Sequence, residues 1–123
     1  MAELGVALKE ALQIDGAIAA AVVDRTSGMT LGTAGGGQEF DPVVAGAANT
    51  EVLVAKMRTM ELLGITEKIE DVLVTLDTQY HLLRPITGRS GKGLFIYLAL
   101  RRDRANLAMA RHRLRIIEQN FEI

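Results

Sequence analysis

The absence of cysteine is the first informative feature of this sequence. None of the 123 residues is a cysteine, so disulfides, thiol catalysis and cysteine-ligated zinc are excluded together. Aromatic residues are few, with three phenylalanines and two tyrosines, which gives little support for stacking on unpaired bases. The formal net charge is −1, so the whole molecule has no electrostatic preference for nucleic acid. We therefore expect no nucleic-acid partner.

Long apolar runs are also missing. The longest, 17–23 and 94–100, have seven residues each, whereas a membrane span needs about 20. The N-terminal segment carries Glu3 early and lacks the apolar region of a signal peptide. We expect a single domain over residues 1–123, without membrane insertion and located in the cytoplasm.

The first half of the chain reads as a helix, two strands and a long helix. Leucines recur every four residues from Leu4, which predicts a helix ended by Gly16. Two apolar strands follow at 17–24 and 29–34, and the turn between them contains Gly28. Asp41 is then a strong N-cap with proline after it, and predicts a helix that runs to about Leu63.

The second half reads as three strands and a final helix. The strands are predicted at 69–76, 79–86 and 94–100, and the last is wholly apolar, as expected of a central strand. The final helix carries one apolar stripe, formed by Leu107, Leu114, Ile117 and Phe121. Short links between strands predict antiparallel pairing. The fold class is therefore α+β, in the order αββαβββα, with a five-stranded antiparallel sheet and helices on both faces.

The stretch Thr87–Gly93, TGRSGKG, resembles a phosphate-binding loop. Aligning Gly91-Lys92 with the Walker motif puts Ile86 at the first glycine position and Gly93 at the Ser/Thr position, so two required positions fail. A phosphate loop also opens a helix, whereas this one precedes an apolar strand. We interpret it as a flexible hairpin tip.

No other stretch predicts catalysis, a cofactor or a metal site. His81 and His112 lie on different elements and lack zinc-site spacing. Ser27 and Ser90 lie in turns, and neither has the glycine context of a nucleophile elbow. We expect a protein that is not an enzyme.

Two features predict association with a second copy. The third strand is free of charge and proline between Asp71 and Asp77, and it is the first strand after a helical crossover, so it is expected at an unprotected sheet edge. The middle helix has apolar residues on more than one side, of which only one can cover its own sheet. The predicted dimer interface comprises Val72, Leu73, Val74, Thr75, Leu76, Leu53, Val54, Met57 and Met60.

Three segments resemble the bacterial branch of the Roadblock family, the dynein light-chain type. They are 16–24 followed by Gly28, 69–76 with 83–86, and 98–111, in which Ala105-Asn106-Leu107 opens the last helix after a short basic link. The resemblance covers nearly the whole chain. It departs at Asp77-Thr78, where relatives often have glycine, which leaves the geometry of that turn open.

The resemblance implies a profilin-like, Roadblock-like fold and a homodimer whose third strands pair edge to edge. It implies a non-enzymatic regulatory or scaffold module that binds a Ras-like small GTPase, modulating its hydrolysis in bacterial signalling. Arg84, Arg101 and Arg102 are the candidate partner contacts, and Arg89 is a further candidate arginine finger.

Two alternatives stay open on the sequence alone. One is a small-ligand-sensing α+β domain, which a metabolite would stabilise against unfolding. The other is nucleic-acid binding through the six arginines of Arg101–Arg115, which would depend steeply on salt.

Overall fold

A computed structural model of the chain describes residues 3–38, 40–88 and 91–122. The predicted order αββαβββα is confirmed. Its elements are α1 (Leu4–Leu12), β1 (Ala17–Asp24), β2 (Met29–Gly35), α2 (Pro42–Leu62), β3 (Val72–Thr75), β4 (Gln79–Pro85), β5 (Leu94–Arg101) and α3 (Leu107–Asn120).

The five strands form one sheet in the order β2-β1-β5-β4-β3. Every pair of neighbours is antiparallel, as predicted. The strand β5, apolar over 94–100 and ending at the exposed Arg101, lies at the centre, where both of its faces are covered. The edges are β2 and β3, so the predicted edge position of the third strand is confirmed.

Helices cover both faces of the sheet. Alternate residues of β5 point to opposite faces, so Leu98 joins a core with α1 and α3, whereas Tyr97 joins a second core with α2. The helix α2 packs on β1 and β2. On that side, the face of β3 and β4 is covered less completely, and Val72, Val74 and His81 are half-buried.

Local sequence features explain where α2 begins and how closely it packs on the sheet. The Asp41 carboxylate caps the helix by accepting the Val43 N–H at 2.9 Å, and Pro42 occupies the first turn. One turn later, Gly46 lets the helix approach the sheet closely, because a Cβ there would lie 2.9 Å from Cγ2 of Val23. The close approach brings Leu53 into the core, where it is fully buried.

The third strand is shorter than the predicted 69–76. Its ladder runs only over Val72–Thr75. Before it, Asp71 accepts two hydrogen bonds from Arg111 of α3, at 2.8 and 2.9 Å. After it, the Leu76 N–H donates to the Gln79 carbonyl at 2.8 Å and closes the turn to β4. Contacts with α3 and with the turn therefore set the two ends of β3.

Candidate functional site

The exposed edge of β3 offers unpaired backbone groups at defined positions. Because the Leu76 N–H bonds the Gln79 carbonyl and β3 pairs with β4 in the same register, hydrogen-bonded pairs alternate along the ladder. Val72 and Val74 therefore turn their backbone groups towards β4. Leu73 and Thr75 turn theirs outward, where a further strand could pair with them.

The side chains of β3 do not protect that edge. The strand reads VLVT and contains no charge, proline or glycine. Val72 packs on the α2 side of the sheet and Leu73 on the α3 side, and both are half-buried. A regular, uncharged edge of this kind is a surface for pairing with another strand.

The opposite edge strand, β2, differs from β3 in its regularity. Its register against β1 shifts between Val22 and Val23, so that Gly32 and Thr30 are the paired residues and Leu31 between them has no partner. This is a β-bulge, which disrupts the ladder and increases the local twist. Of the two edges, β3 is therefore the regular one.

The outer face of α2 is the second exposed apolar surface. Val44 is 62% exposed and Leu62 is 82% exposed, and the exposed Ala48 and Ala55 lie between them at helical spacing. These four residues, which we call the outer stripe, lie roughly opposite the buried Gly46, Thr50 and Leu53. A helix apolar on two sides has one side free for a partner.

The predicted interface residues of α2 lie on or beside its buried face, on the side away from the outer stripe. Leu53 is fully buried and Met57 packs beside it in the α2-side core. Val54 and Met60 are half-buried at the flanks of the buried face. Leu76 lies beyond β3 and is 41% exposed. The interface stays a prediction. The sequence did not indicate that the four residues of the outer stripe form one exposed surface.

Arg84, a predicted partner contact, lies inside the molecule. Its side chain is 8% exposed and pairs with the buried Glu118 of α3, with Nη2 and Nε each 3.2 Å from Oε1. The other carboxylate oxygen accepts a hydrogen bond from the Thr87 hydroxyl at 3.0 Å. The pair fastens α3 to β4. Arg89, the further candidate, lies outside the described residues.

Arg101 and Arg102, the other predicted contacts, are exposed at the end of the sheet where β5 stops. Arg101 pairs with Asp103 at 3.1 Å. Arg102 lies over the ring of Tyr80 at 5.2 Å from its centroid and donates to the Leu76 carbonyl at 2.8 Å. Arg102 therefore supports the turn at Asp77-Thr78, which forms without a positive φ. Arg101 is the freer of the two for a partner.

His81 is the only half-buried histidine in the described chain. Its ring packs edge-on against Phe40 and Tyr97, and Nε2 lies 2.8 Å from Oε1 of Gln79. Burial lowers the pKa of His81 and raises the pKa of Tyr97 to about 12, so both groups are neutral near pH 7. Across the ladder His81 faces Val74 on the edge strand.

The glycine-rich stretch does not open a helix. Thr87 and Gly88 follow β4, Gly91–Gly93 lead into β5, and Arg89 and Ser90 lie outside the described residues. Over residues 3–38, 40–88 and 91–122, no cluster of three metal-ligating side chains occurs. Within the same ranges, no helix is both long and apolar enough to cross a bilayer.

The fold is that of solved Roadblock/LC7 domains. The chain aligns with the Roadblock/LC7 domain from Streptomyces avermitilis at a TM-score of 0.79 and 13% identity, covering 96% of this chain and 93% of that one. It aligns with Myxococcus xanthus MglB at 0.73 and 15% identity, covering 92% and 77%. For MglC from the same organism the values are 0.58 and 23%, covering 92% and 91%.

Comparisons of sequence alone gave no match. No family model matches the chain, and no curated protein matches it. The structural likeness confirms the Roadblock-like fold that the local sequence predicted, over most of the chain.

Proposed function

We propose that this chain is a non-enzymatic, homodimeric regulatory or scaffold module of bacterial signalling. It binds a Ras-like small GTPase in the cytoplasm, modulating its GTP hydrolysis, and its 123 residues act as one domain. The solved neighbours support a regulatory function, because they include MglB from Thermus thermophilus, described as a gliding protein. Another MglB structure is described as having a tetrameric arrangement, which supports self-association in proteins of this fold.

The uncharged edge of β3 is the observation that carries the proposed dimer. Leu73 and Thr75 direct unpaired backbone groups outward from a strand without charge or bulge. The outer stripe of α2 supplies apolar surface that the chain itself does not cover. A second copy supplies both an identical strand and an identical stripe, so the two surfaces complement themselves about a two-fold axis.

The oligomeric state tests this proposal directly. Light scattering at micromolar concentration should give twice the 13.3 kDa chain mass. Thr75→Pro should reduce the mass to that of one chain, because proline removes an outward N–H and leaves the ladder to β4 complete. A strict monomer in the unmodified protein would contradict the proposal.

A proline substitution at the neighbouring position provides the matched control. Val74→Pro removes an N–H that faces β4, so it should destabilise the chain itself and lower its unfolding midpoint. Thr75 is exposed, so Thr75→Pro should leave the far-ultraviolet circular dichroism and the fold intact. A dimer that persists in a folded Thr75→Pro protein would exclude the β3 edge as the interface.

The GTPase interaction is tested separately on purified components. A tagged dimer is used to capture small GTP-binding proteins, and a captured protein is then purified and assayed for GTP hydrolysis with and without the dimer. Arg101→Ala should weaken binding, whereas Arg113→Ala, which changes an exposed arginine on α3, should not. Failure of any small GTPase to bind the verified dimer would leave the dimer but refute its proposed partner.

A further inference from the structure

A cleft of about 480 Å³ opens at the end of the sheet where α2 stops and β5 begins. The C-terminal half of α2 and the segment leading to β3 form one side, and the end of β4 with the start of β5 forms the other. Small-molecule sites have about this volume. The proposed pairing through β3 and the outer stripe does not use this cleft, although Met57 and Met60 of its lining belong to the interface predicted from the sequence.

The wall of the cleft is largely apolar. Met57 and Met60 line it from α2, Ile65 and Ile69 from the following segment, and Pro85 from β4. Methionine side chains are flexible and adapt to ligands of varied shape. The described lining contains no aromatic ring on which a nucleobase could stack. Its surface therefore suits an aliphatic body rather than a nucleoside.

Two basic residues, Arg25 and Lys92, line this cleft from neighbouring segments of the backbone. The backbone N–H of Arg25 donates to the Gly93 carbonyl at 2.9 Å, and this hydrogen bond places Arg25 beside the segment that carries Lys92. Both residues line the cleft, and neither is ion-paired with a carboxylate in the described part of the chain. A guanidinium and an ammonium without internal partners can hold an anionic group, and arginine binds carboxylates in a bidentate manner.

We propose that this cleft binds a small amphipathic carboxylate with an alkyl chain. The chain lies against Met57, Met60 and Ile69, and the carboxylate meets Arg25 and Lys92. The remaining charged residues of the lining are Glu61, Glu67 and Lys68, so basic groups outnumber acidic ones and the cleft favours an anion. This site does not depend on the proposed GTPase interaction, and it uses neither the outer stripe nor the outward backbone groups of β3.

A series of straight-chain carboxylates tests the proposal. Hexanoate, octanoate and decanoate are titrated into the full chain, and the dissociation constant is measured by calorimetry. Each added methylene should tighten binding about fourfold until the cleft is filled. Alkyltrimethylammonium ions of matching length should not bind. Equal binding of both charge types, or affinity independent of chain length, would overturn the proposal.

Variants separate a built site from non-specific adsorption. The double change Arg25→Gln with Lys92→Gln should weaken octanoate binding at least tenfold, whereas Lys9→Gln, on α1 at the other face, should leave it unchanged. Met60→Phe should fill part of the cleft and shift the preference towards the shorter chain, which keeps the test valid if the double variant is unstable. If no carboxylate binds and Met60→Phe instead alters the dimer mass, the cleft is a contact with a second copy and the proposal is wrong.

Discussion

Replacement of Glu118 by alanine should strongly destabilise the chain. Oε1 of Glu118 is 3.2 Å from both Nε and Nη2 of Arg84, and Oε2 accepts hydrogen bonds from the Thr87 hydroxyl and backbone N–H at 3.0 and 3.3 Å. The side chains of Arg84 and Glu118 are 8% and 4% exposed. Glu118→Ala therefore leaves a buried guanidinium without its main counter-charge.

The expected loss is about 3–5 kcal/mol of the free energy of unfolding, the usual cost of removing one partner of a buried ion pair. Little can compensate for it. Nη1 of Arg84 already lacks a hydrogen-bond partner in the described structure, and Glu70, the other carboxylate nearby, is 4.0 Å from Nη1. Replacing both partners by apolar residues, Arg84→Met with Glu118→Leu, should be close to neutral.

Urea unfolding followed by circular dichroism measures these differences. It is repeated at several protein concentrations, because association shifts the midpoint. Asp103→Ala is the matched control: it breaks the Arg101–Asp103 pair, whose side chains are 52% and 66% exposed, and should cost at most about 1 kcal/mol. A loss below about 1 kcal/mol for Glu118→Ala would refute the interpretation of Arg84 as a buried structural residue.

Two further predictions concern pH and glycine. Burial lowers the pKa of His81, so the stability that depends on its neutral form is complete above its unfolded pKa of about 6.5 and is lost as pH falls through the folded pKa. His81→Gln should therefore flatten the fall in urea midpoint between pH 7 and pH 5, and an unchanged slope would contradict this. Gly46→Ala should lower the free energy of unfolding by about 1–3 kcal/mol, because the added methyl group overpacks against Val23. Gly5→Ala is the control: Gly5 lies in α1 with open space around it, and the change should raise the free energy of unfolding by about 0.5–1 kcal/mol. Equal effects of the two changes in thermal unfolding would refute the close approach of α2 to the sheet.

Elements whose signals are local could be predicted from the sequence. The apolar run of β1 was predicted at 17–24 and is observed there. Asp41 and Pro42 predicted the start of α2, and the structure confirms both the cap and the first turn. The central position of β5 followed from the uninterrupted apolar run over 94–100. Each of these depends on neighbours within a few positions.

Features set by distant residues could not be predicted in this way. The shortening of β3 depends on Arg111 and Asp71, which are 40 residues apart. The burial of Arg84 depends on Glu118, 34 residues away. Because no acidic residue lies next to Arg84 in the sequence, the sequence alone suggested an exposed arginine that could contact a partner protein. The periodicity of apolar residues showed that α2 is apolar on two sides. It did not show which side packs on the sheet, because that choice depends on the close approach of Gly46 to β1.

The cleft shows the same limit. Arg25 and Lys92 are far apart in sequence. The antiparallel pairing of β1 with β5, extended by the hydrogen bond from the Arg25 backbone N–H to the Gly93 carbonyl, brings their segments together. The sequence singled out Lys92 as part of a failed phosphate motif. In the folded chain it lines a largely apolar cleft instead.

The bulge at Leu31 has a consequence for how many copies can assemble. If both edges of the sheet were regular, each copy could pair with a further copy at either edge. The contact could then repeat without limit and produce an open-ended fibre. Here one edge is regular and the other is interrupted. In the proposed dimer, pairing through β3 would use the same surface on both copies and give one continuous sheet of ten strands. A bulged β2 would then lie at each outer end, where further pairing would be disfavoured.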